Sequence, residues 1–238
     1  MAQQIFARQE KKYFLTPAVY EAFLREAEPY IEPDRKFPRY TISNVYYDSI
    51  HFDLIRRSIE KPMYKEKLRL RGYDVPGPDD MVYVEVKKKY DGVVYKRRVT
   101  LTLREAEAFL NDHILPQRAD SQILRELSYL VEHFELVPKL YLAYDRIAFQ
   151  ERTNPSFRLT FDEKIRFRQD RLSLAAGDDG ELLLPLDAGY LLELKVSDTI
   201  PHWLVRILAA HQLYPTSFSK YGTIYREKMF KTRSEKHV

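Results

Sequence analysis

Lysine and arginine side chains recur at every second position in several segments of the chain. In KEKLRLRGY, Lys67, Arg69 and Arg71 alternate with Leu68 and Leu70. Because alternate residues of a β-strand point to the same face, this spacing places the three cations side by side. Three like charges in a row repel one another unless an anion lies between them. Arginine binds phosphate oxygens through its planar fork and lysine through a compact charge, so the pattern favours a phosphate ligand.

The same alternation in seven segments predicts one strongly basic face. By parity this face collects the basic residues Arg8, Lys12, Lys67, Arg69, Arg71, Lys87, Lys89, Lys96, Arg98, Arg146, Arg158 and Lys195. It carries only four acidic residues, Glu10, Glu85, Asp162 and Glu193. A surface selected for solubility mixes both signs, so this imbalance indicates a binding face for a polyanion. The carboxylates can orient the cations or bind a metal, and oxygen ligands without His or Cys suit Mg²⁺ or Mn²⁺.

Other features of the sequence exclude several alternative chemistries. The chain has no cysteine, only seven glycines, and neither a G-x-x-x-x-G-K-[ST] nor a G-x-G-x-x-G motif. Its six histidines show no H-E-x-x-H or other ligand spacing. Thiolate metal sites and glycine-rich phosphate loops are therefore excluded, and side chains must bind any phosphate.

Two-residue periodicity predicts a mainly antiparallel β-sheet. The predicted strands are 5–14, 40–48, 64–74, 81–90, 93–101, 138–150, 156–168 and 190–197. Helices are predicted after Thr16, from Thr102 to about His113, from about Asp120 to Glu135, and after Pro201. No linker or composition break divides the 238 residues, so we expect a single domain spanning 1–238.

The basic face fits two arrangements of such a sheet. In an open sheet it would be an ordinary solvated face, which is the commonest origin of this alternation. In a sheet closed around it, low-dielectric walls would focus the field of the cations on a bound polyanion. The opposite parity is largely aliphatic, which favours a closed wall over the open groove and exposed aromatic residues of a nucleic-acid binder. We therefore predict an α+β fold, an eight-stranded closed antiparallel β-tunnel with helices packed outside.

Taken in order, the motifs of the chain resemble one known family. They are RQEKKYFL, KEKLRLRGY, VYVEVKKKYDGVVYKRR, YDRIAF, FRLTFDEKIRFR, LLELKV and SFSKY. The chain is similar over nearly its whole length to the VTC-type (vacuolar transporter chaperone) polyphosphate polymerase domain of the triphosphate tunnel metalloenzymes, a CYTH-like superfamily. The resemblance implies a tunnel that binds the phosphates of a nucleoside triphosphate together with a divalent metal.

The resemblance also implies roles for individual residues. The implied phosphate-binding residues are Arg8, Lys12, Arg69, Arg71, Lys87, Lys96, Tyr144, Arg146, Arg158, Ser219 and Lys220. Four of these, Lys12, Arg69, Arg71 and Lys220, are the implied catalytic residues, and Glu193 is the implied metal ligand. Lys11, Lys88 and Arg97 have the other parity and are expected to lie outside the tunnel.

The function that the resemblance implies is transfer of the ATP γ-phosphate to a growing polyphosphate chain, with Mn²⁺ or Mg²⁺. The superfamily signature E-x-E-x-K has Arg8 in place of its first glutamate here, which favours a phosphate acceptor over water. Two alternatives are a metal-dependent tripolyphosphatase or nucleoside triphosphatase and a non-catalytic polyphosphate sensor. The expected partners are ATP and polyphosphate, with no nucleic acid. The sequence shows no signal peptide and no apolar run of about 20 residues, so a cytoplasmic location is expected.

Overall fold

A twisted antiparallel sheet forms the centre of the molecule. The computed structural model describes residues 9–60, 62–91, 93–116, 122–184, 189–196 and 199–230. The strands are β1 (Gln9–Leu15), β2 (Ile31–Pro33), β3 (Arg39–Asp48), β4 (Tyr64–Tyr73), β5 (Met81–Tyr90), β6 (Val93–Thr102), β7 (Val137–Glu151), β8 (Arg158–Arg168), β9 (Glu181–Leu182) and β10 (Tyr190–Val196). Eight of them follow the order β1-β10-β8-β7-β3-β4-β5-β6, while β2 pairs with β7 and β9 with β8. The predicted mainly antiparallel architecture is confirmed.

Short helices connect the strands. They are α1 (Pro17–Ala27), α2 (Asp53–Ile59), α3 (Leu103–Asp112), α4 (Gln122–His133), α5 (His202–Ala210) and α6 (Lys220–Ile224), and α6 continues into a π-helical segment, Tyr225–Phe230. Thr16 caps α1, and Thr102 with Glu105 forms the predicted capping box of α3. The sequence analysis missed α2 and α6. No helix in the described part of the chain is long and apolar enough to span a bilayer.

The sheet has two chemically different faces. We call the face that carries Lys12, Arg69, Glu85, Arg146 and Glu193 the inner face. Helices α3 and α4 cover the outer face of β4, β5 and β6 with a buried apolar cluster, and α1 and α5 cover the outer face of β1, β8 and β10 with a second one. The aliphatic parity of each strand thus supplies the core, and the charged parity is left on the inner face.

The predicted closed tunnel requires one correction. Among the described residues, the edge strands β1 and β6 are not hydrogen-bonded to each other, so backbone pairing does not close the sheet. Instead, Lys87 of β5 reaches across to Glu10 of β1, with Nζ 3.3 Å from Oε2. A half-exposed ion pair, and no strand ladder, therefore links β1 to β5.

The prediction that helices pack outside holds for α1, α3, α4 and α5, but not for α6. Ile42, Leu142 and Leu191 point to the inner face, and they pack against Tyr221 and Ile224 of α6 in a third buried apolar cluster. These strand positions share the parity of the charged residues but are apolar, so they require an apolar cover. The inner face is therefore charged over one part and closed by the C-terminal helix over another.

A bulge changes the parity of β8. The register against β7 shifts near Lys164, which adopts a left-handed φ of 47°. Asp162 lies on the inner face before the bulge, whereas Arg166 lies on the outer side, where it pairs with Asp145 and Asp178. The bulge thus limits the charged part of the inner face on this strand to the residues up to Asp162.

Candidate phosphate-binding site

Three predicted phosphate-binding residues surround Glu85 on β4, β5 and β6. Arg69 donates through Nε and Nη2 to Glu85 Oε2 at 2.9 and 2.8 Å. Arg71 Nε lies 3.6 Å from the same oxygen. Lys96 Nζ lies 2.6 Å from Oε1, an ion pair without hydrogen-bond geometry. Burial raises the pKa of Glu85, but Arg69, Arg71 and Lys96 outweigh it and lower the pKa to about 2. Glu85 is therefore an anion that gathers three cations.

A second group of cations surrounds Asp162 and Glu193. Arg146 donates to both oxygens of Asp162, through Nε at 2.6 Å and Nη2 at 2.8 Å. Lys220 Nζ donates to Asp162 Oδ2 at 2.6 Å and to Glu193 Oε1 at 3.1 Å. Lys12 Nζ lies 3.1 Å from Glu193 Oε1, and Arg146 Nη2 lies 3.1 Å from Oε2. Burial raises the pKa of Glu193, but Lys220, Lys12 and Arg146 outweigh it and hold the pKa well below its usual value.

Tyr144 contacts the same cations through its ring. Lys220 Nζ lies 4.4 Å and the Arg146 guanidinium carbon 5.2 Å from the ring centroid. Both distances are within the range of a cation–π interaction. Tyr144 is buried, so its ring is a fixed surface that orients the two cations.

The segment before α6 connects β1 with β4. Lys12 Nζ donates to the carbonyl oxygen of Phe218 at 3.1 Å, and Lys67 Nζ donates to Ser219 Oγ at 3.2 Å. Ser219 also caps α6, because its side chain accepts from the N–H of Gly222. Ser219 and Lys220 are thus brought to the inner face together, from an extended residue followed directly by a helix.

Two further predicted residues lie towards the edges of the site. Lys87 pairs with Glu10, as described above, and both side chains are about half exposed. Arg158 Nη1 lies 3.8 Å from Asp34 Oδ2 at one end of β8, and its side chain is 53% exposed. Arg8 lies outside the described residues. Lys88 and Arg97 lie on the outer face, where both pair with Glu126 of α4.

Sequence reasoning missed several polar residues of the site. Arg71 Nε donates to Asn44 Oδ1 at 3.2 Å, and Arg69 Nη1 donates to the Tyr46 hydroxyl at 3.4 Å. Burial raises the pKa of Tyr46, but Arg69, Lys67 and Arg71 outweigh it, so the pKa is lowered overall. Asn44 and Tyr46 share one parity in RYTISNVYYD, and this was the signal that could have identified them. Lys67 was assigned to the basic face but to no role.

The carboxylates fit a metal that takes most of its ligands from phosphate and water. The described residues contain no group of three or more Asp, Glu or His side chains that could hold a metal by themselves. Glu10 lies close to Glu193. Burial and the charge of Glu193 both raise the pKa of Glu10, but Lys87 and other cations outweigh them, so this pKa is lowered overall. Mg²⁺ commonly binds through one or two carboxylates plus substrate phosphates. Glu193, with Glu10 beside it, matches that donor set.

Comparison with known protein families identifies the family to which the chain belongs. Residues 7–227 match the VTC domain. The chain belongs to the VTC domain family. This match covers most of the 238 residues and confirms the resemblance predicted from the motifs.

A relative of this VTC domain is subunit 4 of the vacuolar transporter chaperone complex from Trypanosoma cruzi (strain CL Brener). The two are 26% identical over 153 residues, which cover 52% of this chain and 19% of that protein. The match therefore spans about a fifth of the relative's length, and the rest of the relative lies outside the matched region.

Solved structures with the same fold are also known. A candidate adenylate cyclase from Bacillus halodurans has a TM-score of 0.58 at 15% identity, over 95% of this VTC domain and 100% of that chain. A candidate adenylyl cyclase from Hippeastrum, described as having a dominant triphosphatase activity, has a TM-score of 0.52 at 16% identity, over 92% of this domain and 95% of that chain. At these identities the likeness shows the fold alone, and it confirms the predicted tunnel-type fold.

Proposed function

We propose that this VTC domain transfers the γ-phosphate of ATP to the end of a growing polyphosphate chain on its inner face. The observation that carries the proposal is the convergence of Lys12, Arg146 and Lys220 on Glu193, beside Arg69 and the other cations around Glu85. These side chains come from β1, β7, α6 and β4, so the fold concentrates positive charge that neighbouring residues could not provide. The family relationship supports polyphosphate as the ligand class.

In the proposed reaction, a terminal phosphate oxygen of the acceptor chain attacks the γ-phosphorus of ATP. The new P–O bond forms as the bond to the β–γ bridging oxygen breaks, and ADP leaves with that electron pair. Such transfers depend on positioning and on neutralising charge rather than on covalent chemistry. Lys12, Lys220 and Arg146 would neutralise the transferred phosphoryl group, and Arg69 and Arg71 would bind the remaining donor phosphates.

The buried carboxylates give these cations fixed positions before the substrate binds. Asp162 holds Arg146 and Lys220, and Glu85 holds Arg69 at hydrogen-bond distance. Preorganised groups of this kind stabilise developing charge without reorganisation during the reaction. A bound Mg²⁺ or Mn²⁺, held by Glu193 with Glu10 beside it, would neutralise phosphate oxygens.

The acceptor decides between transfer and hydrolysis. A polyphosphate acceptor is itself a polyanion, so cations must reduce its repulsion from the donor phosphates. The excess of Lys and Arg over Asp and Glu on the inner face favours that acceptor over water. The second candidate is a triphosphatase, because a relative of the same fold is described as having a dominant triphosphatase activity. The third is a polyphosphate sensor without turnover.

Two aspects of the proposal concern the cellular setting. The relative from Trypanosoma cruzi is described as a subunit of a complex, so we propose that this VTC domain also acts with partner proteins. A cytoplasmic location, which would give access to ATP, stays a prediction.

The deciding experiment is to incubate the purified protein with ATP and Mn²⁺ or Mg²⁺ and to resolve the products by gel electrophoresis and phosphorus NMR. We expect ADP and chain phosphate, with free phosphate as a minor product. Stoichiometric free phosphate without chain product would replace the polymerase by the triphosphatase. Binding of ATP without any product, for both metals, would favour the sensor.

Arg8 offers a test of the balance between the two reactions. It replaces the first carboxylate of the superfamily signature, so Arg8→Glu should add a metal-binding charge and increase the fraction of free phosphate. Arg25→Glu, which makes the same charge change on an exposed residue of α1, is the matched control. An unchanged product ratio in Arg8→Glu would remove Arg8 from the proposal.

A further inference from the structure

Aromatic side chains form a continuous run across β3, β4 and β5 at one end of the inner face. The ring centroids are 6.1 Å apart for Phe37 and Tyr40, 5.5 Å for Tyr40 and Tyr73, and 6.0 Å for Tyr73 and Tyr83, and each contact is edge-to-face. The guanidinium carbon of Arg98 lies 4.7 Å from the centroid of Tyr83. We call these five residues the aromatic rim.

The aromatic rim is open to solvent. Phe37 is 65% exposed and Tyr73 is 42% exposed. Arg98 is also exposed, and it forms no salt bridge with any residue in the described ranges. Exposed aromatic surface that is contiguous and lies beside an uncompensated cation is typical of a binding surface rather than of a core.

The rim is continuous with the cationic part of the inner face. Tyr73 follows Arg71 by two residues on one face of β4, and Tyr83 precedes Glu85 by two residues on one face of β5. Two residues along a strand span about 7 Å, so the rim lies about that far from the cations around Glu85. The sugar of a nucleotide could span this distance.

A loop contact connects the rim to Arg158, one of the predicted phosphate-binding residues. The Asp34 carboxylate accepts from the backbone N–H of Phe37 at 3.1 Å, and its other oxygen lies 3.8 Å from Arg158 Nη1. Tyr40 is also close to the second cation group, because it is paired with Arg146 in the register of β3 and β7. The rim therefore borders both groups of cations.

We propose that the aromatic rim binds the base of the nucleoside triphosphate donor by stacking. This proposal rests on the proposed function, because the triphosphate of the same ligand would occupy the inner face. With its phosphates among Arg69 and Arg71, the donor would place its sugar and base at the rim. Aromatic rings and a guanidinium plane stack on any base without reading its hydrogen-bonding edge. The rim should therefore raise the affinity for nucleotides over inorganic triphosphate but discriminate little between ATP and GTP.

The test compares dissociation constants by calorimetry for ATP, GTP and inorganic tripolyphosphate. The variants are Phe37→Ala and Tyr73→Ala, with Tyr73→Leu as a second variant that keeps a large apolar side chain but removes the ring. We expect each to weaken ATP and GTP binding about five- to hundredfold, while tripolyphosphate binding changes less than about twofold. The control is Tyr129→Ala, which removes a ring that is 63% exposed on α4 and should change none of the three affinities.

Three results would overturn the proposal while leaving the phosphate site intact. The first is unchanged ATP affinity in the Phe37 and Tyr73 variants, and the second is an equal loss of affinity for ATP and tripolyphosphate. The third is an affinity for a single-stranded oligonucleotide that depends on Phe37 and Tyr73 while the affinity for ATP does not. The last would indicate a nucleic-acid surface. If the wild-type protein binds neither ATP nor tripolyphosphate, the proposed function itself fails. Thermal melting of each variant checks that it is folded.

Discussion

Lys220 Nζ lies 2.6 Å from Asp162 Oδ2, although the two residues are 58 positions apart in the chain. Asp162 is fully buried, and Arg146 occupies both of its oxygens as well. The contact fixes the first turn of α6 against β8 and brings the ammonium group of Lys220 to Glu193. A predicted catalytic residue is thus also part of the buried structure.

These two contributions of Lys220 can be separated. Lys220→Met should lower the free energy of unfolding by about 1–3 kcal/mol, because Asp162 loses a buried charged donor. The double variant Lys220→Met/Asp162→Asn should not regain that stability, because buried Arg146 then loses the carboxylate that it holds through two hydrogen bonds. Turnover should stay lost in both. Thermal melting and product formation measure the two effects, and recovery of turnover in the double variant would show that Lys220 acts only through Asp162.

Glu85 makes Arg69 important for stability. Three neighbouring cations alone would contribute little to folding, but Arg69 donates two hydrogen bonds to a carboxylate whose side chain is 2% exposed. We expect Arg69→Ala to cost about 1–3 kcal/mol and Arg71→Ala, whose nitrogen is 3.6 Å away, to cost less. Both should weaken tripolyphosphate binding. A double-mutant cycle with Glu85→Ala tests the coupling, and additive effects on stability would contradict it.

The affinity for phosphate should depend on pH through Lys67. The pKa of Lys67 is lowered to about 8 overall, because burial together with the charges of Lys87, Lys65 and Lys12 outweighs the opposite effect of Tyr46. Lys67 is therefore charged below about pH 8 and neutral above it, so tripolyphosphate affinity should fall as pH rises from 7 to 9. Calorimetry across this range measures the effect. Burial also lowers the pKa of Lys96 to about 8, although Glu85 raises it, so Lys96 should contribute to the same decline. Lys67→Arg should therefore remove part of the decline, and an identical profile in this variant would exclude Lys67 as an origin.

The same shift predicts the opposite trend for stability. In the unfolded chain Lys67 keeps its proton up to its ordinary pKa of 10.5. Between pH 8 and 10.5 the unfolded state thus binds more protons than the folded state, and the contribution of Lys67 to the free energy of unfolding rises with pH. Chemical denaturation of the wild type and Lys67→Arg at pH 8 and 9.5 gives this difference. A larger increase in the variant than in the wild type would contradict it.

Glu193→Gln should separate binding from turnover. The change keeps the side-chain shape but removes the charge proposed to bind the metal, so metal-dependent turnover should be abolished. Tripolyphosphate affinity should be equal or higher, because Lys12 and Lys220 lose a competing anion. The control is Glu126→Gln, which removes a carboxylate that pairs with two cations on the outer face. Full turnover in Glu193→Gln would mean that Glu193 is only an ion-pair partner.

Alternation was sufficient to predict the eight longer strands, though not the short β2 and β9, and the assignment of most charged side chains to one face. Arg69, Glu85 and Lys96 share the inner face as their parity indicates, because these strands are regular and flanked by aliphatic residues. The parity of Lys88 and Arg97 likewise indicates the outer face. A two-residue period depends only on neighbouring residues, so it predicts the face of each side chain correctly wherever no bulge interrupts the strand.

The parts that sequence reasoning missed depend on contacts between distant segments. The pairing of Lys220 with Asp162 requires the position of α6 relative to β8, which no local pattern encodes. The apolar cover of the inner face was missed because Leu140 and Leu142 have the same parity as Tyr144 and Arg146. One face of β7 is thus apolar over one part and charged over another. The bulge at Lys164 has no residue signature, since glycine is absent there.

The neighbouring positions of β1 and β10 have a consequence for the synthesis of the protein. Lys12 is paired with Glu193 in the sheet register, so one partner leaves the ribosome long before the other. Chains fold as they are synthesised from the N-terminus, and contacts between distant segments form late. Glu85 and Asp162 are translated before β10, so Arg69 and Arg146 gain a carboxylate partner early, whereas Lys12 has none until Glu193 is made. We therefore expect the first strand to stay exposed to polyanions, ribosomal RNA among them, until β10 pairs with it.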